Sequence, residues 1–294
     1  MRRQAELRPS SPIARPETAR PRSEAVAEAV KVAAPSPQEV EGIARHLAML
    51  AVHSGASAVE DPHLGALLVR APGGGIALNY VAMPRWPADD WRASLARTSG
   101  AMRAAGEWPS LLLAERLDRP IGLDRELPDA GWTRVGHETV LWVGAASVVP
   151  HLDPSLRIEA VQSKAVDAHQ RLEAAVFGLG RRGLVARGND LGDALAGGRL
   201  RAYVVRVNEE PVAVARLSVG EHDAGLYGIG VAEAYRRRGL GTLLTTVATR
   251  AGLALGKRIV WLSVEDGNDG ARQMYEKLGF QPLFGWGRWI TRDP

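Results

Sequence analysis

The chain has 294 residues, 46% of them hydrophobic, which is typical of one large globular domain or two smaller ones. It has no cysteine, no histidine pair at metal-ligand spacing and no apolar run long enough to cross a bilayer, so we expect a cytoplasmic protein without disulfides, metal or a membrane partner. The net charge of +4 is spread along the chain without a nucleic-acid-binding motif, so we expect no nucleic-acid partner.

The first half of the chain begins with a segment that is poor in large apolar residues. Residues 1–36 combine Pro, Ser, Arg and Glu and are predicted to form a disordered tail. A first α/β domain is predicted over 37–149, with alternating helix and strand patterns. Its elements are predicted, in order, as a helix at 38–55, strands at 65–71 and 76–83, a helix from Pro87, and strands at 110–115 and 138–143.

The second half follows a linker at 150–155 and is predicted to form a second domain over 156–294. A strand at 156–161 leads to a helix that Ser163 could cap. The remaining patterns predict strands at 201–207, 212–219 and 226–231, a helix at 242–255, a strand at 259–265 and a short helix at 271–278.

The two halves share an internal repeat. The string LNYVAM begins at residue 78 and LYGIGV begins 148 residues later, at residue 226. The same offset separates AGW, which ends at Trp132, from LGF, which ends at Phe280. The order of elements between these points agrees, so we interpret the chain as a tandem duplication of one domain, with chance matching of a common α/β pattern as the alternative.

A segment rich in arginine and glycine separates the strand that ends at Val231 from the next helix. It reads Arg236-Arg237-Arg238-Gly239-Leu240-Gly241. The first turn of a helix has unpaired N–H groups and attracts anions, glycine lets the backbone come close to a ligand, and arginine adds charged hydrogen bonds. The segment therefore predicts a pyrophosphate-binding loop, although it matches neither a Walker loop nor a dinucleotide fingerprint.

These motifs resemble those of the GNAT acyltransferases. The family pattern [QR]-x-x-G-x-[GA] matches Arg236, Gly239 and Gly241, and a second pattern of the family, N-x-x-A followed by Y-x-x-x-G-F, matches residues 268–280. The resemblance covers about 156–294. It implies two tandem domains with a mostly antiparallel sheet flanked by helices, acetyl-CoA as the acyl donor, and a primary amine of a small molecule or peptide as the acceptor.

The resemblance also implies roles for individual residues. The backbone of Ile229, Gly230 and Val231 would pair with the pantetheine arm, Asn268 would contact it from the other side, and Tyr275 would protonate the CoA thiolate. The pyrophosphate would be held by Arg236, Arg237, Arg238, Gly239, Leu240, Gly241 and Thr242. Each role has a plainer alternative: Arg237 and Arg238 as solvated charges, Asn268 as a helix cap, and Tyr275 as core packing.

The general base is where the sequence departs from the family. At the strand position where many members carry a glutamate this chain has Gly225, and where others read L-E-V it reads Leu262-Ser263-Val264. Glu265 is the candidate that we retain, with Glu221, His222, Glu233 or a water chain as alternatives.

The first half lacks the phosphate loop. Residues 84–92 contain no glycine and two aspartates, Asp89 and Asp90, so we interpret this half as a degenerate copy that forms one wall of a substrate cleft, and we expect one acetyl-CoA per chain. Two other functions remain open: a non-catalytic acyl-CoA sensor, which the missing base would fit, and, with less support, a nucleic-acid-binding protein.

Overall fold

The computed structural model describes residues 32–146, 155–162, 166–178 and 191–292. Most of the predicted tail and Ser163 lie outside these ranges. From Val32 onward the chain is a single unit. No described helix has both the length and the apolar character that crossing a membrane requires.

The helix α1 opens the first half, and its start is fixed locally. Ser36 and Glu39 form a reciprocal capping box, an arrangement in which an N-cap is worth about 1 kcal/mol. The elements of this half are α1 (Pro37–Ala48), β1 (Ser57–Asp61), β2 (Ala66–Arg70), β3 (Tyr80–Ala82), α2 (Trp91–Ala104), β4 (Ser110–Ala114), α3 (Leu123–Glu126) and β5 (Trp132–Val143).

Two sequence predictions for this half need correction, and one strand was missed. The first helix ends at Ala48, and a 3₁₀ turn at 50–54 takes up the rest of the predicted span. The predicted strand at 76–83 is reduced to β3 because residues 75–77 form another 3₁₀ turn. β1 was not predicted, since its sequence Ser57–Asp61 is exposed along most of its length and has no apolar alternation.

The second half contains β6 (Leu156–Ala160), α4 (Val166–Phe177), α5 (191–196), β7 (Leu200–Val207), β8 (Glu210–Val219), β9 (Asp223–Val231), α6 (Leu240–Ala254), β10 (Ile259–Glu265), α7 (Asp269–Lys277) and β11 (Gln281–Thr291). β11 was not predicted, because Pro282, Gly285 and Gly287 interrupt the alternation of apolar residues along it.

All described strands join one sheet in the order β1-β2-β3-β4-β11-β5-β10-β9-β8-β7-β6. Every neighbouring pair is antiparallel except β3 with β4 and β9 with β10. The predicted α/β fold with a mostly antiparallel sheet is therefore confirmed. The domain boundaries proposed from the sequence stay a prediction.

The halves exchange their last strands. β5 of the first half pairs with β10 of the second, and β11 of the second half pairs with β4 of the first. β5 and β11 also pair with each other at the centre of the sheet. Each half thus completes the sheet of the other. β5 of the first half therefore lies beside β10, a strand that follows residues 236–241, which we call the glycine-arginine loop.

Helices cover both faces of the sheet. α1 lies on one face and buries Ile43, Ala44 and Leu47 in a core that also contains Trp142 and Trp261, so it packs on strands of both halves. On the opposite face, α6 packs over the second half and α2 over the first. The face beside α1 and α4 holds a cavity that Leu47 of α1 and Glu173 of α4 help to line.

Candidate functional site

The two parallel strands β9 and β10 separate partway along their length. They pair from Asp223 to Leu226 on β9 and from Ile259 to Leu262 on β10, and no described pairing continues beyond these residues. At the same place β9 carries a bulge, because Gly228 and Ile229 both lie opposite Ala215 of β8. Gly228 has a φ of +61°, which glycine adopts without strain. The result is an open slot with an unpaired strand edge on one side.

A cavity of about 490 Å³ opens at this slot. Its walls come from both halves of the chain, so the prediction that the first half forms one wall of a cleft agrees with the lining. The first-half lining is Leu47, Leu50, Ala51, Ser54, Ala77, Leu78, Tyr80, Leu112 and Glu138. The second-half lining is Glu173, Phe177, Arg216, Leu226, Tyr227, Gly228, Ile229, Ser263, Val264, Glu265, Asn268, Tyr275, Trp286 and Arg288.

Tyr275 enters the cavity from α7. Its ring lies 6.0 Å from that of Phe280 and is buried in the core beneath α6. Burial raises the pKa of Tyr275 to about 12. Its hydroxyl has no hydrogen-bond partner among the described residues. A protonated phenol facing a cavity can donate a proton to a leaving group, and the same ring also serves as core packing.

Asn268 lies at the start of α7 and lines the same cavity. Its side-chain oxygen accepts a hydrogen bond of 3.3 Å from the backbone N–H of Ala271, so it is the N-cap of the helix. The side-chain amide N–H₂ remains a donor group at the cavity. Capping and ligand contact are therefore compatible roles for this residue.

The three backbone positions predicted to pair with the donor differ in their surroundings. Ile229 lines the cavity, whereas Gly230 and Val231 are outside its described lining. A Cβ at Gly230 would lie 2.6 Å from Val176, so this position turns towards α4. All three residues belong to the part of β9 beyond Leu226, where no described strand pairs on the side of β10.

The glycine-arginine loop leads into α6 as predicted. Gly239 is the N-cap, with a φ of +78°, and no described side chain caps the helix there. Leu240 is buried, so only its backbone could face a ligand. The first-turn N–H groups of α6 point out of this loop, an arrangement that suits a phosphate.

The three arginines of the loop are exposed. Arg236 donates to the carbonyl of Val231 at 3.2 Å, and Arg238 donates to the carbonyl of Ala234 at 3.2 Å. Arg237 has a φ of +63°. Thr242 lines a second cavity of about 260 Å³ between α6 and α7, together with Lys277. The loop therefore supplies positive charge beside an open space.

Among the candidate bases, only Glu265 lines the cavity. Glu221 and His222 lie in the exposed turn between β8 and β9, at the opposite end of β9 from the slot, and Glu233 is exposed after β9. The structure also explains Gly225: a Cβ at this position would lie 2.4 Å from the indole of Trp261, so no larger side chain fits here.

A buried ion pair lies at the floor of the cavity. Glu173 of α4 and Arg216 of β8 bind each other, and both are almost fully buried. Burial, reinforced by the charge of Arg216, lowers the pKa of the neighbouring His169 to about 4. Removing one partner of such a pair leaves a buried charge and costs about 3–5 kcal/mol, so the pair holds α4 against the sheet.

Sequence reasoning missed four charged residues of the cavity: Glu138, Glu173, Arg216 and Arg288. Arg216 left a signal, because it is a single arginine inside the apolar strand pattern VAVARLSV. Glu138 left no such signal in the sequence, since its position at the cavity depends on the strand exchange. Within the described ranges, no three His, Asp or Glu side chains converge as a metal site would require.

Part of the second half is similar in sequence to a known family. Residues 182–280 match the Acetyltransferase (GNAT) family. A mycothiol acetyltransferase of Corynebacterium efficiens is 49% identical over 55 residues, a segment that spans 19% of this chain and only 19% of that relative's length.

Two solved structures are similar over both halves. A GCN5-related N-acetyltransferase from Kribbella flavida has a TM-score of 0.68 and 20% identity, covering 87% of this chain and 96% of that chain. A tandem GNAT protein from the clavulanic acid biosynthesis pathway has a TM-score of 0.57 and 17% identity, with 87% and 96% coverage. At such identities the likeness concerns the fold.

Proposed function

We propose that this chain, whose residues 182–280 match the Acetyltransferase (GNAT) family, transfers an acetyl group from acetyl-CoA to a primary amine of a small molecule or peptide. The observation that carries the proposal is the slot between β9 and β10, which opens into a cavity lined by Tyr275 and Asn268. The match to a mycothiol acetyltransferase over part of the chain supports acetyl as the transferred group.

The donor fits the described residues in two places. The N-terminus of α6 offers unpaired N–H groups beside Gly239, whose missing side chain leaves open space, and the neighbouring arginines supply positive charge for a pyrophosphate. The free edge of β9 offers backbone groups to an extended pantetheine arm, as in strand addition to a sheet. The thioester would then lie at the slot, near Tyr275.

The proposed reaction is a direct attack. The neutral amine nitrogen forms a bond to the thioester carbon, the carbon–sulfur bond breaks, and the thiolate takes the proton of the Tyr275 hydroxyl. The amine loses its own proton to Glu265 or to water. Because burial keeps the pKa of Tyr275 at about 12, this phenol holds its proton at neutral pH until the thiolate forms.

A thiol-release screen tests the proposal directly. Purified protein and acetyl-CoA are incubated with alkylamines, amino sugars and peptides with free N-termini, and free CoA is measured. We expect release that depends on one class of amine. Binding of acetyl-CoA by calorimetry without release for any amine would instead favour the sensor function, to which the absence of a glutamate at Gly225 points.

A further inference from the structure

Two glutamates from different halves of the chain lie side by side at the cavity. In the antiparallel register, Glu138 of β5 is directly opposite Glu265 of β10, and both line the cavity. Directly opposed residues face the same side of a sheet, with Cβ atoms about 5 Å apart. The first half therefore brings a carboxylate to the edge of the slot where the thioester is proposed to lie.

Like charges in directly opposed positions destabilise a sheet, so this pair calls for a compensating charge. The third carboxylate of the cavity, Glu173, already has one in Arg216. Among the described residues, neither Glu138 nor Glu265 forms an ion pair or a side-chain hydrogen bond. The two carboxylates therefore line the cavity without a directly bonded counter-charge among the described residues.

Arg288 is a cation of the same cavity, and other groups bind its guanidinium. Its guanidinium lies 4.9 Å from the ring of Tyr80 and donates a hydrogen bond to the carbonyl of Ile76. It is attracted by Glu138 without forming an ion pair with it. Arg288 belongs to β11, whereas Glu265 lies two strands away on β10, and Glu265 forms no ion pair with any described residue.

We propose that Glu138 and Glu265 together bind the ammonium form of the acceptor, and that one of these carboxylates takes its proton. An N–H bond of the ammonium breaks, the proton moves to a carboxylate oxygen, and the nitrogen lone pair becomes free to attack the thioester carbon. The acceptor is then an amine that is cationic at neutral pH, such as an alkylamine or amino sugar. This inference rests on the proposed acetyl transfer.

The test compares glutamine variants with a charge-matched control. Glu138→Gln and Glu265→Gln each remove one negative charge with little change of shape, and Glu126→Gln makes the same change at an exposed carboxylate of the first half. Thiol release is measured for an alkylamine and for an arylamine that is neutral at the assay pH. Calorimetry gives the acetyl-CoA affinity, and thermal unfolding verifies the fold of each variant.

Glu138→Gln is expected to lower kcat/KM for the alkylamine by about 10- to 100-fold, the loss typical of a charged hydrogen bond, mainly through KM. The kcat/KM for the arylamine and the affinity for acetyl-CoA should be unchanged, because neither of these molecules presents a cation to Glu138. The double variant should lose less than the product of the two single losses, because both residues act on one ammonium.

Three results would overturn the inference alone: equal loss for both acceptors, no greater loss than in Glu126→Gln, or a wild-type preference for the arylamine. A purely structural role of Glu138 predicts the first of these. If the wild type binds acetyl-CoA but releases no CoA with any amine, the proposed function itself fails, and the inference falls with it.

Discussion

Tyr275 shows how burial fixes the protonation state of a residue that we propose as a proton donor. The ring is almost fully buried, and desolvation raises its pKa to about 12, so the phenol is protonated at any pH where the protein would work. A phenol with this pKa cannot act as a general base near neutral pH, so proton donation is the role that we propose for it.

We therefore expect Tyr275→Phe to lower the rate of thiol release by about 10²- to 10⁴-fold while sparing acetyl-CoA binding, since the proton is needed only as the thiolate leaves. Steady-state kinetics and calorimetry measure the two effects. Tyr203→Phe, at another buried tyrosine outside the cavity, is the matched control and should retain activity. Nearly full activity of Tyr275→Phe, with chemistry rate-limiting, would reduce Tyr275 to packing.

A substitution at Gly241 tests, again at the level of a single residue, whether the glycine-arginine loop binds the donor. A Cβ at this position would lie 3.4 Å from the sulfur of Met274, an ordinary contact, so the fold accommodates a Cβ here. Gly241→Val should remain folded but lose affinity for acetyl-CoA, because the added side chain lies in the first turn of α6, where the pyrophosphate is proposed to bind.

Calorimetric titration with acetyl-CoA checks this expectation. Gly100→Val, in the open face of α2, is the control for the same substitution within a helix and should bind as the wild type does. Unchanged affinity in Gly241→Val would remove the loop from the donor site.

At the scale of elements, a cluster of hydrogen-bonded side chains joins α1 to β8 and β9. The rings of His46 and His53 both lie 2.7 Å from the Ser218 hydroxyl, and His46 also lies 2.5 Å from Asp223. Trp261 donates to the same aspartate at 2.6 Å. Burial, and then the charge of His46, lowers the pKa of His53 from 6.5 to about 4.

This shift gives stability a pH dependence of known sign. In the unfolded chain His53 takes up a proton below pH 6.5, whereas in the folded protein it stays neutral down to about pH 4, so its stabilising contribution is complete above 6.5 and is lost as the pH falls towards 4. The slope is at most about 1.4 kcal/mol per pH unit.

Urea unfolding between these pH values, for the wild type and His53→Gln, measures the effect. The wild type should lose stability more steeply on acidification than the variant. His169, with a pKa of about 4, adds the same trend, while Asp118, whose pKa burial raises to about 8, adds the opposite one. His169 and Asp118 are present in both the wild type and the variant. Parallel plots of stability against pH for the two proteins would therefore show that His53 does not titrate as described.

On the scale of the whole molecule, the halves share one sheet but differ in their loops. The segment of the first half that corresponds to the glycine-arginine loop contains Trp86, which is buried and donates to the carbonyl of Leu64 at 2.7 Å. Asp90 follows at the N-cap of α2 and pairs with Arg97 at 3.1 Å. A bulky ring and a carboxylate thus occupy the place where a phosphate would need space and positive charge.

We therefore expect the full chain to bind one acetyl-CoA. Equilibrium dialysis with labelled acetyl-CoA gives the stoichiometry, which should fall from one to nearly zero in Gly241→Val. A value of two for the wild type, with one site surviving in the variant, would contradict both the single site and the different roles of the halves.

The sequence by itself determined most elements and the parts of the site that depend on local chemistry. Gly239 and the arginines before it mark the start of α6, and Asn268 caps α7, because helix ends are governed by residues within one turn. The short motif around Tyr275 placed that residue on α7 for the same reason. These features needed no knowledge of distant residues.

The tertiary structure decided which strands meet, and with them the other half of the site. A strand's own pattern of apolar residues does not specify its neighbour, so nothing in the sequence of β5 or β11 revealed their exchange. Glu138 lies beside Glu265 only because β5 pairs with β10 in one register, and Glu173 meets Arg216 only because α4 packs on β8. Contacts between residues far apart in sequence form when the whole sheet assembles, and the charges of the cavity are set by those contacts.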